Sequence, residues 1–342
     1  MTSTASQESV AMRQILPLPG NEVFARRLAD AGGWELGALE TRRFPDGESY
    51  VRLVSDVLGK SVYLVCTLAR PDEGFLRLVF AADAARSLGA RTVTLIAPYL
   101  SYMRQDRRFR AGEAVTSISF ARLISASFDS LVTVDPHLHR YPALSSLYAI
   151  PANTLHAAPL LADWIAAEVR SPLVIGPDEE SEQWVSAIAE RARAPWTVLR
   201  KVRHGDRSVD VDVPDLSAWQ GRQPVLVDDI ASSGHTLIEA ARKLPLQGFP
   251  KPVIAVVHPI FAEDSYARLR ALSERIVSAD AVEHESNAIG LATLIAGELS
   301  AAEDAAEQLV RRRRPPEPRD EVEQAGYDSF PASDPPPWTS GR

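Results

Sequence analysis

The chain has 342 residues, of which 45% are hydrophobic and 24% are charged, a composition that suits one large or two medium globular domains. The formal net charge of −8 at pH 7 argues against a nucleic-acid partner, because such surfaces need excess positive charge. A single cysteine excludes an intrachain disulfide framework, and no apolar run reaches the roughly 20 residues that a membrane helix needs.

The first half of the chain alternates predicted strands and helices. Residues 1–10 are polar and lack the basic and apolar segments of a signal peptide, which predicts a cytoplasmic enzyme. The predicted strands are 15–18, 62–66, 92–97 and 131–134, and the predicted helices are 22–31, 73–88 and 117–127. Such alternation is typical of a parallel sheet with helices on its faces.

A turn that carries one aromatic and two acidic side chains interrupts this alternation. The extended segment 35–39 leads into the turn, and 50–53 is predicted to return as a strand. Phe44 would either pack onto the body of the domain or stack on a nucleotide base. In the second case Asp46 and Glu48 suit the amino group of an adenine, and the spacing leaves both interpretations open.

Polar loops follow the third and fourth predicted strands. The loop 99–110 interleaves four arginines, Arg104 among them, with aromatic residues, and the later loop contains His137. The carboxyl ends of parallel strands form the ligand crevice of open α/β sheets, so we expect the arginine-rich loop to bind phosphates. For His137, a structural role and a metal or nucleotide role both remain open.

From about residue 149 the alternation restarts, which predicts a second α/β domain similar to the first. Its predicted strands are 173–175, 196–199, 225–227 and 253–257, and its predicted helices are 157–169, 180–192, 237–244, 264–272 and 289–299. The charged segment 200–219 lacks apolar periodicity and is predicted to be a long loop, a type of segment that often serves as a lid. We therefore predict domains at 13–149 and 150–300. The Pro-rich stretch 303–342 cannot bury a core and is predicted to be disordered.

The stretch 225–236 joins a strand, two carboxylates and a turn rich in hydroxyl groups. The carboxylates are Asp228 and Asp229, and the turn is Ser232, Ser233, Gly234, His235 and Thr236. The first N–H groups of the next helix have no intrahelical acceptor, so the turn forms a phosphate cradle. Together with carboxylates that hold sugar hydroxyls or a metal, it predicts a sugar-phosphate site, for which ribose 5-phosphate is a good fit. The alternative is that the acidic pair only caps the helix.

These stretches resemble the ribose-phosphate pyrophosphokinase (PRPP synthetase) family, which has the type I phosphoribosyltransferase fold. The resemblance extends from about residue 43 to 299. Besides the 225–236 loop, it rests on Arg43-Phe44-Pro45-Asp46-Gly47-Glu48, Arg104-Gln105-Asp106-Arg107, Asp135-Pro136-His137, Pro177-Asp178 and Lys201-Val202-Arg203.

The resemblance implies an α/β fold of two similar phosphoribosyltransferase-like domains, each with a mostly parallel sheet flanked by helices. It implies transfer of pyrophosphate from Mg²⁺-ATP to O1 of ribose 5-phosphate, giving AMP and PRPP for nucleotide biosynthesis. It also implies a homo-oligomer, a dimer or a hexamer, with ATP sites at subunit contacts. No nucleic-acid or membrane partner is expected.

The resemblance also implies a role for each matching residue. ATP would contact Phe44, Asp46, Glu48, Arg104, Gln105, Asp106 and His137. Ribose 5-phosphate would contact Asp178, Asp228, Asp229, Ser232, Ser233, Gly234, His235 and Thr236, and the metal would contact His137 and Asp178. Lys201 and Arg203 would be catalytic.

Three departures from the family pattern fall near the expected ribose site. Glu179-Glu180-Ser181 stand where small residues are usual, Ser232 replaces an acidic residue, and His235 stands where glycine is frequent. They leave open a different sugar-phosphate preference or weak activity. Two further alternatives are a non-catalytic regulatory subunit of the same family and a phosphoribosyltransferase that consumes PRPP.

Overall fold

A computed structural model of the chain describes residues 12–138, 140–204 and 208–301, with 201–204 and 208–210 described by their backbone alone. The chain divides into two units, Met1–Ala296 and Gly297–Arg342, and both lobes described below lie in the first unit. The described part of the second unit, 297–301, is helical. The predicted disordered tail, 303–342, lies outside the described residues.

The first lobe is built on a six-stranded parallel sheet. The strands of this lobe, of which β3 and β4 form an adjoining hairpin, are β1 (Arg13–Pro17), β2 (Glu35–Leu36), β3 (Leu39–Arg43), β4 (Ser49–Leu53), β5 (Ser61–Val65), β6 (Thr92–Ala97), β7 (Ser130–Val134) and β8 (Ala152–Leu155). Its helices are α1 (Glu22–Gly32), α2 (Pro71–Ser87) and α3 (Thr116–Ser127). The sheet order is β2-β1-β5-β6-β7-β8, and β3 and β4 form a separate antiparallel hairpin.

The second lobe repeats this plan. Its strands are β9 (Pro172–Gly176), β10 (Trp196–Val198), β11 (Arg200–His204), β12 (Ser208–Asp212), β13 (Gln223–Ala231), β14 (Val253–Pro259), β15 (Arg275–Ala279) and β16 (Asn287–Ile289). Its helices are α4 (Ala158–Glu168), α5 (Glu182–Ala192), α6 (His235–Lys243) and α7 (Ser265–Leu272), and residues 292–296 are also helical. The sheet order is β10-β9-β13-β14-β15-β16, with the β11–β12 hairpin outside the sheet.

The two lobes therefore share one topology. In each, the second strand lies at the edge beside the first, an antiparallel hairpin follows it, and the remaining strands add in chain order on the other side. The predicted fold class, two similar α/β domains with parallel sheets, is confirmed. Within the described ranges, no helix is long and apolar enough to cross a bilayer.

The cores follow from the apolar runs of the sequence. Every residue of β5 and β14 is buried, as expected for central strands that helices cover on both faces. Helix α2 buries Leu78, Ala81, Ala82 and Ala85, a spacing that places them on one helical face. Gly176 allows α5 to approach β9, because a Cβ there would lie only 2.3 Å from Val185 Cγ2.

The structure corrects the prediction of a long loop over 200–219. Residues 200–204 and 208–212 pair as the β11–β12 hairpin, and Ser217–Trp219 form a short 3₁₀ turn. Val211, Val213 and Leu216 are buried in the second-lobe core. The many charges of this segment concealed the short alternation that buries one side of its second half.

One strand end, one helix start and one additional strand also differ from prediction. Strand β13 does not end at Asp228 but continues through Ala231, because β14 still pairs with it at Ile230. The predicted helix 289–299 begins only at 292, after the short strand β16. Strand β8, which was not predicted, pairs with β7 and completes the first sheet.

Candidate functional site

A cleft of about 560 Å³, called here the first cleft, lies at the carboxyl ends of β9 and β13. The loops that follow β6, β7 and β8 of the first lobe form its opposite wall. The predicted site residues that it brings together are Arg104, His137, Asp178, Asp228, Asp229, Ser232, Ser233, Gly234, His235 and Thr236. The cleft thus unites parts of the predicted ATP and ribose 5-phosphate sites.

The acidic pair lies where β13 extends beyond its neighbour β9. The pairing with β9 ends at Leu226, so Asp228 and Asp229 have a strand partner on the β14 side alone. The Asp229 N–H donates to Asp228 Oδ1 at 2.9 Å, and Asp229 Oδ2 lies 2.9 Å from His137 Nδ1. The last contact joins the two lobes across the cleft.

The two carboxyl groups differ in their affinity for a proton. Burial, and next the negative charge of Asp229, raises the pKa of Asp228 well above its usual range. Burial also acts to raise the pKa of Asp229, but the hydrogen bond and charge of His137 outweigh it and lower that pKa to about 2. Asp229 is therefore an anion at neutral pH, and Asp228 is the carboxyl group of the pair that more readily holds a proton.

The predicted phosphate loop leads directly into α6. Gly234 adopts a left-handed conformation with φ 62°, and His235 is the first helical residue, with no positive φ. His235, which stands where the family pattern frequently has glycine, therefore requires no strained backbone. The loop is anchored at Ser232 O, which accepts hydrogen bonds from Ala262 N at 3.0 Å and Ser265 Oγ at 2.9 Å. The helix N-terminus is thereby held at the cleft, as anion binding requires.

Asp178 lies at the end of β9 and caps the turn that follows it. Its Oδ1 accepts a hydrogen bond from Ser181 N at 3.2 Å, and Ser181 Oγ donates to Asp178 O at 2.6 Å. The unusual Glu179-Glu180-Ser181 segment is one 3₁₀ turn before α5. Glu180 and Ser181, which the sequence placed near the expected ribose site, line the first cleft, as does Trp184, which the sequence did not indicate.

Asp135 connects several segments through hydrogen bonds at the first-lobe wall of the cleft. It has a positive φ of 36°, and its Oδ2 accepts a hydrogen bond from Ala157 N at 2.8 Å. Its carbonyl oxygen lies 3.1 Å from His258 Nε2 of β14, and its Oδ1 lies 2.9 Å from His156 Nδ1. His156 also lines the cleft and was missed, because it follows the unpredicted strand β8.

The ion pair of His156 gives a pH-dependent prediction. The hydrogen bond that the Asp135 carboxylate accepts from the imidazole raises the pKa of His156, although burial opposes the shift. The pair therefore stabilises the fold fully below the ordinary histidine pKa, and this contribution disappears as pH rises through the folded-state pKa. We expect His156→Ala to lower Tm by about 1–3 °C more at pH 5.5 than at pH 8.5, the scale of an exposed ion pair.

Thermal unfolding of wild type and variant across this pH range measures the effect. Arg26→Gln removes an exposed charge from α1 and is the control, for which the Tm difference from wild type stays flat with pH. An equal or larger effect of His156→Ala at pH 8.5 would contradict the assignment.

Several predicted site residues lie outside the first cleft. Phe44 is exposed on the β3–β4 hairpin, with the Arg42 guanidinium 4.4 Å from its ring centroid. Asp46 and Glu48 belong to the same hairpin turn, where Asp46 Oδ1 accepts from the Glu48 N–H at 3.2 Å. Neither carboxylate lines the first cleft.

Gln105 and Asp106 are adjacent to Arg104 in sequence but engage other partners. Gln105 Oε1 accepts a hydrogen bond from Thr116 Oγ1 at 3.3 Å, and Asp106 forms an ion pair with Arg140 at 3.3 Å. Lys201 and Arg203 belong to β11, and their side chains lie outside the described part of the structure.

The predicted metal ligands His137 and Asp178 both line the first cleft. Over residues 12–138, 140–204 and 208–301, no group of three or more His, Cys, Asp or Glu side chains is arranged to hold a metal ion. Mg²⁺ is usually held by one or two carboxylates together with substrate phosphates, so this donor set fits an ion that arrives with a nucleotide.

Comparisons with known proteins agree with the two-lobed architecture. The family model for the N-terminal domain of ribose phosphate pyrophosphokinase matches residues 13–127, and the phosphoribosyl transferase domain model matches 144–293. A ribose-phosphate pyrophosphokinase of Methanopyrus kandleri is 36% identical over 275 residues, which cover 79% of this chain and 93% of the relative. The corresponding protein of Methanothermobacter thermautotrophicus is 32% identical over 284 residues, 82% of this chain and 98% of the relative.

A solved structure shows the same fold. The crystal structure of phosphoribosylpyrophosphate synthetase from Mycobacterium smegmatis matches with a TM-score of 0.75 at 21% identity. The match covers 86% of this chain and 99% of that one.

Proposed function

The chain belongs to the ribose-phosphate pyrophosphokinase family, and on this premise we propose that its first cleft transfers pyrophosphate from ATP to O1 of ribose 5-phosphate. The products are AMP and PRPP, a precursor for nucleotide biosynthesis. One observation carries the proposal. The cleft places an anion-binding helix terminus and an acidic pair of the second lobe opposite Arg104 and His137 of the first.

The reaction needs no nucleophile from the protein. The O1 hydroxyl oxygen of ribose 5-phosphate bonds to the β-phosphorus of ATP, and the bond from that phosphorus to the α–β bridging oxygen breaks. AMP leaves with the bridging oxygen, and the O1 proton passes to solvent. The chain contributes alignment of the two substrates and positive charge around the phosphates.

The second lobe is proposed to bind ribose 5-phosphate. The 5-phosphate would accept hydrogen bonds from the N–H groups and hydroxyls of 232–236 at the α6 N-terminus. Asp229, which stays ionised, would accept hydrogen bonds from ribose hydroxyls, and Asp228 lies beside it. Asp178 lines the cleft beside this pair and would face the ribose and the metal.

The first lobe is proposed to bind ATP through Arg104 and His137, with Mg²⁺ as the cofactor. Bound Mg²⁺ would neutralise phosphate charge, and Asp178 is the better protein ligand because this ion prefers oxygen. His137 is a proposed metal or nucleotide contact that already lies 2.9 Å from Asp229. Lys201 and Arg203 are proposed to act on the phosphates from the β11–β12 hairpin.

Gln105 and Asp106 stay proposed ATP contacts beside Arg104, whereas the three on the β3–β4 hairpin require a second copy of the chain. Phe44, Asp46 and Glu48 do not line the first cleft of their own chain, which agrees with a hairpin that completes the site of a neighbour. We therefore propose a homo-oligomer, a dimer or a larger ring, whose ATP sites lie at subunit contacts.

Mixing two inactive variants tests this arrangement. Phe44→Ala impairs the hairpin and Asp229→Asn impairs the cleft, so a mixed oligomer contains some sites in which both parts are intact. After dissociation and reassembly of a dimer we expect about a quarter of wild-type activity, because random pairing leaves one intact site in half of the dimers. Activity no higher than that of the separate variants, or a fully active monomer, would contradict the shared site.

The reaction itself is tested by incubation with Mg²⁺, ATP and ribose 5-phosphate and separation of the nucleotide products. We expect AMP to form only when ribose 5-phosphate is present. ADP as product would indicate an ordinary kinase. Substrate binding without turnover would support the regulatory-subunit alternative, and consumption of PRPP with a nucleobase would indicate a phosphoribosyltransferase.

Two organisational features are also proposed. The sequence predicts the boundary between the two domains after residue 149. Because β8 pairs within the first sheet, we propose that the boundary lies after residue 155 instead. We place the enzyme in the cytoplasm, where ATP and nucleotide precursors are used.

A further inference from the structure

A second cleft, of about 750 Å³, lies between the same two lobes. It opens at the carboxyl ends of β1 and β5, and its opposite wall is formed by loops that follow β14 and β15. None of the predicted substrate, metal or catalytic residues lines it.

The second cleft occupies the same position in the first lobe that the first cleft occupies in the second lobe. Strand β5 pairs with β1 from Ser61↔Arg13, and β13 pairs with β9 from Gln223↔Pro172. The first cleft lies at the ends of β13 and β9, and the second at the ends of β5 and β1. Both are the crevice in which open α/β sheets bind ligands.

The registers also identify the residues that correspond. Counting along the matched strands places Pro19 at the position of Asp178, Cys66 at that of Asp228, and Thr67 at that of Asp229. The same counting places Val282 at the position of His137. The second cleft therefore retains the position of a ligand crevice but none of the four side chains proposed to bind sugar and metal.

A contact between the two lobes follows the same pseudo-symmetry. Tyr99 and His258 are equivalent positions beyond β6 and within β14, and their ring centroids lie 5.0 Å apart. Asp135 and Asp280 are a second such pair, since their side chains accept from Ala157 N and Leu291 N at 2.8 and 2.7 Å. A repeated framework with exchanged lining residues indicates a site for another ligand.

The walls of the second cleft carry opposite charges. The first-lobe wall presents Arg70 and Arg77, along with Glu73. The second-lobe wall presents the exposed carboxylates Glu263 and Glu283. In the part of the chain that the structure describes, Arg70, Glu263 and Glu283 form no side-chain ion pair. A ligand with one group of each sign would satisfy both walls at once.

Aromatic rings line the second-lobe wall beside these carboxylates. The centroids of Phe261, Tyr266 and His284 lie 4.5–5.0 Å from one another. His284 Nδ1 accepts a hydrogen bond from Ser286 N at 3.1 Å, and burial lowers the pKa of His284. The imidazole is therefore neutral at pH 7 and has its other nitrogen as a donor. This wall suits a planar ring.

We propose that the second cleft binds an aromatic α-amino acid. Its ring packs on Phe261, Tyr266 and His284, its carboxylate meets the arginines, and its ammonium group meets Glu263 or Glu283. A nucleotide fits less well, because it brings phosphate charge without a cation to a cleft with three carboxylates and two guanidinium groups. This proposal does not depend on the proposed reaction.

Isothermal titration calorimetry of the full chain with L-tryptophan, L-phenylalanine and L-histidine tests the proposal. We expect at least one of them to bind saturably, with one site per chain. N-acetyl-L-tryptophanamide, which lacks both charges, should bind at least tenfold more weakly. Arg77→Gln and at least one of Glu263→Gln and Glu283→Gln should weaken binding about tenfold, the scale of one lost charged contact.

Matched controls separate a site effect from a general one. Glu274→Gln and Arg26→Gln remove exposed charges elsewhere and should leave binding unchanged. Because Arg77 also donates to Glu73 O at 2.7 Å, its replacement can disturb α2. The exposed Arg70→Gln variant is therefore measured beside it and should also weaken binding.

Three results would overturn the proposal. The first is no binding of any of these amino acids up to about 10 mM, a concentration that would detect even a weak site. The second is binding that Asp229→Asn abolishes and that neither Glu263→Gln nor Glu283→Gln weakens, which would assign it to the first cleft. The third is AMP binding sensitive to Arg77→Gln without amino-acid binding. AMP formation is assayed separately, so a failure here is distinct from a failure of the proposed reaction.

Discussion

Replacement of Lys201 by alanine is expected to lower kcat by about 100-fold or more, the scale of losing one preorganised electrostatic contact. Substrate KM values should change much less. Arg203→Ala should behave alike, and the loss in the double variant should be smaller than the sum of the single losses, in free-energy terms.

The position of these two residues provides the reason. They lie in β11 of a hairpin that is held outside the second sheet, and the hairpin is anchored at its base, where Lys201 pairs with the buried Val211. A hairpin attached in this way can close over substrates that are already bound. Cations that meet phosphate charge chiefly in the closed state near the transition state affect turnover more than ground-state affinity.

Steady-state kinetics with both substrates varied measures the effect. Arg200→Ala removes a charge at the start of the same hairpin and is the matched control, with kcat expected near that of wild type. If Lys201→Ala and Arg203→Ala both turned over at wild-type rates, the hairpin would have no catalytic role.

Asp228→Asn and Asp229→Asn should each weaken the use of ribose 5-phosphate more than the binding of ATP. Loss of one charge-assisted hydrogen bond costs about 1.5–3 kcal/mol, which corresponds to a roughly 10- to 150-fold higher KM for the sugar phosphate. The two variants should differ in their effect on His137, because Asp229 Oδ2 lies 2.9 Å from His137 Nδ1.

A double-mutant cycle measures that difference. Asp229→Asn and His137→Gln should be non-additive, since either change removes the same 2.9 Å contact, whereas Asp228→Asn and His137→Gln should be closer to additive. Asp83→Asn, on the exposed face of α2, is the control. Loss of ATP affinity with unchanged sugar affinity in either aspartate variant would contradict the proposed division between the lobes.

Local sequence patterns were sufficient for most of the architecture. Buried parallel strands read as short apolar runs, and amphipathic helices read as a 3.6-residue repeat, so the two alternating halves could be recognised without the structure. The motif 225–236 was equally clear, because a strand followed by small hydroxyl residues and a helix start is a local feature. The pairing of β11 with β12 was missed because charged residues obscured the alternation of this segment.

Contacts between distant segments were decided by the tertiary structure alone. His137 and Asp229 are 92 residues apart, and no local pattern predicts that they lie 2.9 Å from each other. Nor does a local pattern predict that His137 lowers the pKa of the Asp229 carboxyl group. The capping role of Asp178, the contribution of Trp184 to the cleft, and the second cleft also depend on packing. The sequence determined which segments form strands and helices, because that follows from neighbouring residues. Strand register and the meeting of the lobes determined which side chains share a cleft, because these depend on the packing of the whole chain.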